Sequence, residues 1–271
     1  MLQATLLSLS ALLALVPAAV LSFRPEADRR PGMFWTLLGV ATAGALIWSL
    51  VQLGGAWRTG LAATLWVSIA ATLVLYGAIA AVSRSAWRLA PLLLPYLVLL
   101  GCLATLTGQH QRATQGAGLA AQASPVWIDL HIAISVGTYA LVTIAAVAGL
   151  AALLQERALK AKRPTQLTRQ LPAMADAETL QYRLLAASAL VLAAGIATGS
   201  AVLYFKQGRF LVIDHKTLFS LASFFTVLIL LAAQRLAGVR GRAAGRLMLV
   251  AYLLLTLGYP GVKFVTGILM G

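Results

Sequence analysis

The stretch "HIAISVGTYALVTIAAVAGLAALL", His131–Leu154, runs for 24 residues without a charged side chain. A helix that crosses a bilayer needs roughly 20 consecutive, mainly apolar residues. This segment alone therefore reads as a membrane span, opened on its N-terminal side by "WIDL", Trp127–Leu130, and closed by "QER", Gln155–Arg157. The same pattern recurs along the chain. Hydrophobic residues make up 61% of the sequence and charged residues only 10%, against about 25% charged in an ordinary soluble domain. Eight apolar blocks stand out, at 2–22, 33–53, 61–82, 89–107, 127–154, 182–205, 215–234 and 246–267. The expected fold is an all-α integral membrane protein, a bundle of about eight transmembrane helices.

The charges fix an orientation. Net charge is +14, which in a soluble domain would point to nucleic acid. Here no soluble domain carries it, and the basic residues flank apolar blocks. Fifteen of the 21 Lys and Arg fall in or beside the first, third, fifth and seventh connectors: Arg24, Arg29, Arg30, Arg84, Arg88, Arg157, Lys160, Lys162, Arg163, Arg169, Arg183, Arg235, Arg240, Arg242 and Arg246. Five fall in or beside the even ones: Arg58, Arg112, Lys206, Arg209 and Lys216. Cytoplasmic loops carry the basic excess, so the odd connectors are expected inside and both termini outside (N-out/C-out). The first block has no basic residue before it and Arg24, Arg29 and Arg30 after it. That is opposite to the polarity of a signal peptide, and it is expected to be a retained helix.

On this topology all three histidines gather at the outer face. His110 lies in the fourth connector, His131 opens the fifth span and His215 opens the seventh. The only acidic residues on that side are Asp129 and Asp214. Histidine binds metals through a neutral ring nitrogen, and two histidines from separate helices suit the two faces of one haem iron. Each is equally readable as a polar interfacial anchor. The carboxylates read first as helix N-caps, and second as acceptors for the ring N–H of a ligating histidine. Ser135 and Tyr139 follow His131 at one and two helical turns and extend a polar stripe expected to face protein. Zinc is disfavoured, because there is no HExxH and no Cys/His cluster. An ion pathway is disfavoured because the spans are nearly free of charge. Cys102, the single cysteine, excludes a CxxC thiol reductase.

Other features bear on packing. Gly195 and Gly199 form a GxxxG that permits close helix contact. Pro260 and Gly261 lie within the eighth block, where a kink or opened turn is expected. Pro91 and Pro95 are expected to break the first turns of the fourth span. The fifth connector, 155–181, reads as an amphipathic cytoplasmic hairpin, with the next helix starting at Asp176 or Thr179.

Four blocks in order, "WIDLHIAISVGTYALVTIAAVAGLAALLQER", "LPAMADAETLQYRLLAASALVLAAGIATG", "IDHKTLFSLASF" and "RLAGVRGRAAGRLMLVAYLLLTLGYPGVKFV", resemble the cytochrome c assembly protein family. The likeness is to its small CcsA-like branch, of HemX/YpjD type. It covers about 127–267, and divides the chain into an N-terminal four-helix region, 1–126, and a C-terminal four-helix assembly-like region, 127–271. The resemblance implies a multi-pass protein of the bacterial inner membrane that binds or presents non-covalent b-type haem at the outer face. His131 and His215 would be the ligands, with Asp129, Asp214, Ser135 and Tyr139 as supporting groups and other cytochrome c biogenesis proteins as partners. The larger members hold haem against a tryptophan-rich loop. The equivalent stretch here, "GSAVLYFKQGRFLVID", carries Tyr204, Phe205 and Phe210 and no tryptophan. A further histidine beyond the last helix of those members has no counterpart in "TGILMG". Haem attachment to an apocytochrome is thus not expected of this chain alone. An assembly or haem-binding role is favoured over an enzyme, and the alternative is a non-haem assembly or regulatory partner, or a permease subunit, on the same scaffold.

Overall fold

A computed structural model describes residues 2–24, 31–53, 60–110, 125–210, 212, 214–261 and 264. Every regular element among them is helical. In chain order these are α1 (Leu2–Ser22), α2 (Pro31–Leu53), α3 (Leu61–Val82), α4 (Arg84–Trp87) and α5 (Ala90–His110), followed by α6 (Pro125–Ala161), α7 (Gln166–Gln170), α8 (Met174–Gln207), α9 (His215–Leu236) and α10 (Gly241–Thr256). A π-helical turn, Leu257–Gly261, continues α10. Seven helices, α1–α3, α5, α6, α8 and α9, are long and apolar enough to cross a membrane.

The eighth expected span is shorter as an α-helix than the apolar block implied. It is 16 residues of α10 running into the π turn. Pro260 lies inside that turn, where its missing N–H cannot close the regular ladder. The opened turn expected at Pro260 and Gly261 is thus present. Pro91 and Pro95 do not break α5, contrary to expectation: both lie within it. Pro91 falls in the first turn, where no intrahelical N–H bond is lost.

The central pair is α6 and α8, of 37 and 34 residues. Both outrun the apolar blocks from which they were expected. Gln155–Ala161 and Met174–Gln181 remain helical, so the expected hairpin over 155–181 reduces to a link holding the five-residue α7. The start expected for α8 at Asp176 or Thr179 is corrected to Met174, with Ala173 as the N-cap. The link is tied down by side chains that satisfy its carbonyls. Gln155 Nε2 donates to Thr168 O at 2.8 Å and to Pro172 O at 3.0 Å. Arg88 donates through Nε to Gln170 O (3.2 Å) and through Nη2 to Arg169 O (3.1 Å). Gln170 Nε2 reaches Phe23 O at 2.7 Å.

These bonds carry topological information. Phe23 follows α1, Arg88 follows α3, Arg169 and Gln170 lie between α6 and α8, and Gly241 follows α9. Gly241 N–H donates to Glu178 Oε1 at 2.7 Å, near the start of α8. All four odd connectors therefore meet at one end of the bundle, as an alternating series of crossings requires.

Small residues set the closest contacts. Gly241 has φ +62°, and a Cβ there would lie 2.8 Å from Glu156 Oε2. At Gly245 a Cβ would lie 2.5 Å from Leu153 Cγ. The two glycines let α10 press on α6. Without a hydrophobic drive between helices in lipid, such dispersion packing and interhelical hydrogen bonds hold the bundle. Ser8 and Thr105 supply one such bond between α1 and α5, 2.8 Å long and buried. A second polar knot ties α5, α6 and α10. Tyr139 and Tyr252 hydroxyls are 3.1 Å apart, Tyr96 bonds to Tyr252, and Thr143 Oγ1 lies 3.5 Å from Tyr252.

Candidate functional site at the histidine end

The end opposite the odd connectors is built from the start of α6, the end of α8 and the start of α9. Helix α6 begins at Pro125. Proline suits a first helical position because its absent N–H would have had no partner there. Asp129 is therefore already one turn into the helix and is exposed. The expectation that Asp129 caps α6 is corrected, since the helix begins four residues before it. Asp214 does cap α9, its carboxylate accepting from Thr217 N–H at 2.8 Å.

His131 is half-buried in the α6–α8 seam. Its Nδ1 lies 3.2 Å from Thr198 Oγ1. The ring packs where Gly199 has no side chain. A Cβ at Gly199 would meet His131 Cε1 at 3.0 Å, Nδ1 at 3.5 Å and Nε2 at 3.7 Å. Four residues away, Gly195 accommodates Ile134, whose Cγ2 would stand 3.4 Å from a Cβ. The GxxxG thus makes the expected close contact, and one of its two small residues makes room for the histidine.

The polar stripe faces protein, with Ser135 half-buried and Tyr139 buried. Neither supports the imidazole directly through the bonds described. Ser135 Oγ donates to His131 O at 2.7 Å, within its own helix. Tyr139 turns its hydroxyl to Tyr252 and Tyr96. The side chain that meets the ring is that of Thr198, beside the backbone carbonyl of Gly195. The GxxxG bracketing it was the available signal, since a small-residue seam identifies the face that the partner helix touches.

His215 is the first residue of α9 and His110 the last of α5; the side chains of both lie outside the described residues. The expectation that His131 and His215 enter neighbouring helices is corrected. α6 packs on α8 and α10, and α9 packs on the same two helices, so α6 and α9 stand across a diagonal. The small residues Gly195, Gly199 and Gly245 draw α8 and α10, rather than α9, onto α6.

Outward of His131 lies an aromatic patch. Trp127 is one helical turn before His131, on the same side of α6. Its ring is 6.1 Å from that of Phe205 at the end of α8. Tyr204 contacts Phe205 at 6.0 Å and stacks on Phe210 at 4.4 Å with an interplanar angle of 18°. The chain reverses toward Phe210 because Gly208 adopts φ +66° and caps α8, its N–H donating to Tyr204 O at 2.8 Å. The patch is open, with Trp127 39% and Phe210 69% exposed. Among the described residues no group of three or more His, Cys, Asp or Glu could hold a metal ion.

Comparison with known proteins bears on this arrangement. A family model described as "Cytochrome C assembly protein" matches residues 58–270. The match takes in α3 and α5 as well as the stretch from Trp127 onward. The chain is also 54% identical over 268 residues, 97% of both chains, to a protein of Azospirillum brasilense named "Uncharacterized 28.8 kDa protein in nifR3-like 5'region".

Proposed function

The chain belongs to the cytochrome c assembly protein family, and on that premise we propose that it binds or presents haem at the outer face of a bacterial inner membrane. Family membership and the apolar helices support the coarser statement, a multi-pass membrane protein with a role in cytochrome c biogenesis. The observation that carries the finer reading is the placement of His131 one turn inside an exposed patch of four aromatic rings, Trp127, Tyr204, Phe205 and Phe210.

The residues present fit haem. The ring of His131 is a neutral nitrogen donor seated between two long helices, and the aromatic faces beside it are apolar and accessible. When bound, haem supplies an iron that takes an imidazole nitrogen on either face and a flat apolar ring system. His131 would bind the iron from α6, and His215, the first residue of α9, would supply the second imidazole. The aromatic patch would exclude water and present a stacking surface of the kind planar rings prefer. The macrocycle is held non-covalently in this reading, because Cys102 is the only cysteine.

The test is spectroscopic. Full-length protein in detergent, titrated with haem, is expected to develop a Soret band. His131→Ala and His215→Ala each lower the bound haem and move the band. Unchanged haem content in the double variant would end the reading. A second reading, a non-haem assembly or regulatory partner, draws on the link between α6 and α8, whose carbonyls are held by Arg88 and Gln155 and which carries Lys162, Arg163 and Arg169. It is selected if the protein stays colourless and cytochrome c maturation is lost with Arg163→Glu but not with His131→Ala.

A further inference from the structure

We infer that Thr198 sets the tautomer of His131, holding the proton on Nδ1 and leaving Nε2 as the bare nitrogen. The inference follows from counting protons at one hydroxyl. Thr198 Oγ1 lies 2.9 Å from Ala194 O and 3.1 Å from Gly195 O, both on its own helix. It lies 3.2 Å from His131 Nδ1. A threonine inside a helix gives its single proton to the carbonyl three or four residues back, and the shortest of the three contacts is to that carbonyl. With the proton so placed, the oxygen turns only lone pairs toward the imidazole.

The ring nitrogen facing those lone pairs must then be the donor, and the Gly195 carbonyl is a further acceptor against the same ring. Two acceptors opposed at this distance would both be left unsatisfied in a half-buried seam, at a cost of about 1–3 kcal/mol each. A neutral imidazole has one N–H, so protonation at Nδ1 leaves Nε2 unprotonated. This reverses the preference of free histidine, whose proton resides mainly on Nε2. Cε1 is the ring atom nearest α8 at Gly199, with Nδ1 and Nε2 on either side of it.

The meaning of the tautomer rests on the haem reading above, in which His131 must offer a bare nitrogen to iron. Thr198 is then a positioning residue. It takes the place given to Asp129 in the second reading of that carboxylate; Asp129, two residues before His131, lies on another face of α6 and is exposed. A neutral hydroxyl polarises the imidazole less than a carboxylate does.

The test is made on the haem-free, full-length protein in detergent, labelled with ¹⁵N at histidine and held at a pH where the rings are neutral. Signals lost in His131→Gln identify the ring. The expected spectrum has Nδ1 of the protonated type and Nε2 of the unprotonated type. Thr198→Val moves the two shifts toward exchange, and Thr198→Ser restores them. A wild-type ring protonated at Nε2, or a Thr198→Val spectrum identical to wild type, overturns the inference. Haem titration of the same samples separates it from the haem reading. Loss of about 10-fold in haem affinity in Thr198→Val, recovered in Thr198→Ser, is expected where haem binds. A wild type that keeps the Nδ1–H tautomer but takes up no haem defeats the proposed function and leaves the tautomer standing.

Discussion

Gly199 and His131 occupy one volume that neither could share with a larger neighbour. An added methyl at position 199 would stand 3.0 Å from the imidazole Cε1, inside ordinary contact distance. Gly199→Ala is therefore expected to push the ring outward by a few tenths of an ångström. Gly199→Val is expected to expel it from the seam, with an overpacking cost of about 1–3 kcal/mol. Haem affinity should fall in the order glycine, alanine, valine. Equal affinities across the series would show that the ring does not use this seat when it binds.

Gly245 and Leu153 make the same kind of fit at the α6–α10 contact, where a Cβ would come within 2.5 Å of Leu153 Cγ. Gly245→Ala is expected to lower the melting temperature in detergent, at about 1–3 kcal/mol. Leu153→Ala alone also destabilises, by loss of buried contact. Combined, the two substitutions should cost less than their sum, because each supplies the space the other disturbs. Strict additivity would place the two residues out of contact.

The tyrosine knot gives a second coupling. Tyr139→Phe and Tyr252→Phe each remove a hydroxyl from the α5–α6–α10 junction, at an expected cost of about 0.6 kcal/mol, the average for an interhelical hydrogen bond in a membrane protein. The double variant is expected to lose less than twice that amount, since one 3.1 Å contact is common to both. A double-variant cycle read by unfolding in mixed micelles measures the difference.

Orientation is testable at two exposed positions. In a Cys102→Ala background, Arg163→Cys lies at the end where the odd connectors meet, and Phe210→Cys lies in the aromatic patch at the other end. A membrane-impermeant thiol reagent is expected to label position 210 in intact spheroplasts, and position 163 only after lysis. The reverse pattern would put the histidine end in the cytoplasm and remove the outer-face reading.

Much of this architecture is legible in hydropathy, because an apolar block long enough to span has few alternatives in lipid. Helix ends are less legible. The charged residues Glu156, Arg157 and Lys160 close the apolar signal of α6, yet they are good helix formers, and the helix continues to Ala161 because α8 continues beside it. Asp129 looked like a cap for a related reason. The true start, Pro125, lies before the apolar pattern begins. Asp214 was read correctly because its apolar block begins where its helix does. Thr198 is a lone threonine in an apolar span, marked only by the GxxxG around it. Its role exists only once α6 is laid against α8.

The lengths of α6 and α8 have one more consequence. At 1.5 Å per residue they are about 55 and 51 Å long, while the hydrocarbon core is about 30 Å thick. Each is one unbroken rod from the level of His131 or Thr198 to the polar surface where Arg88, Gln155 and Gln170 lock the link between them. No loop lies along either rod to absorb a displacement. Any displacement of α8 along α6 at the locked end would shift Thr198 against His131 by the same distance. A slip of a single helical rise is half the length of the hydrogen bond that joins them.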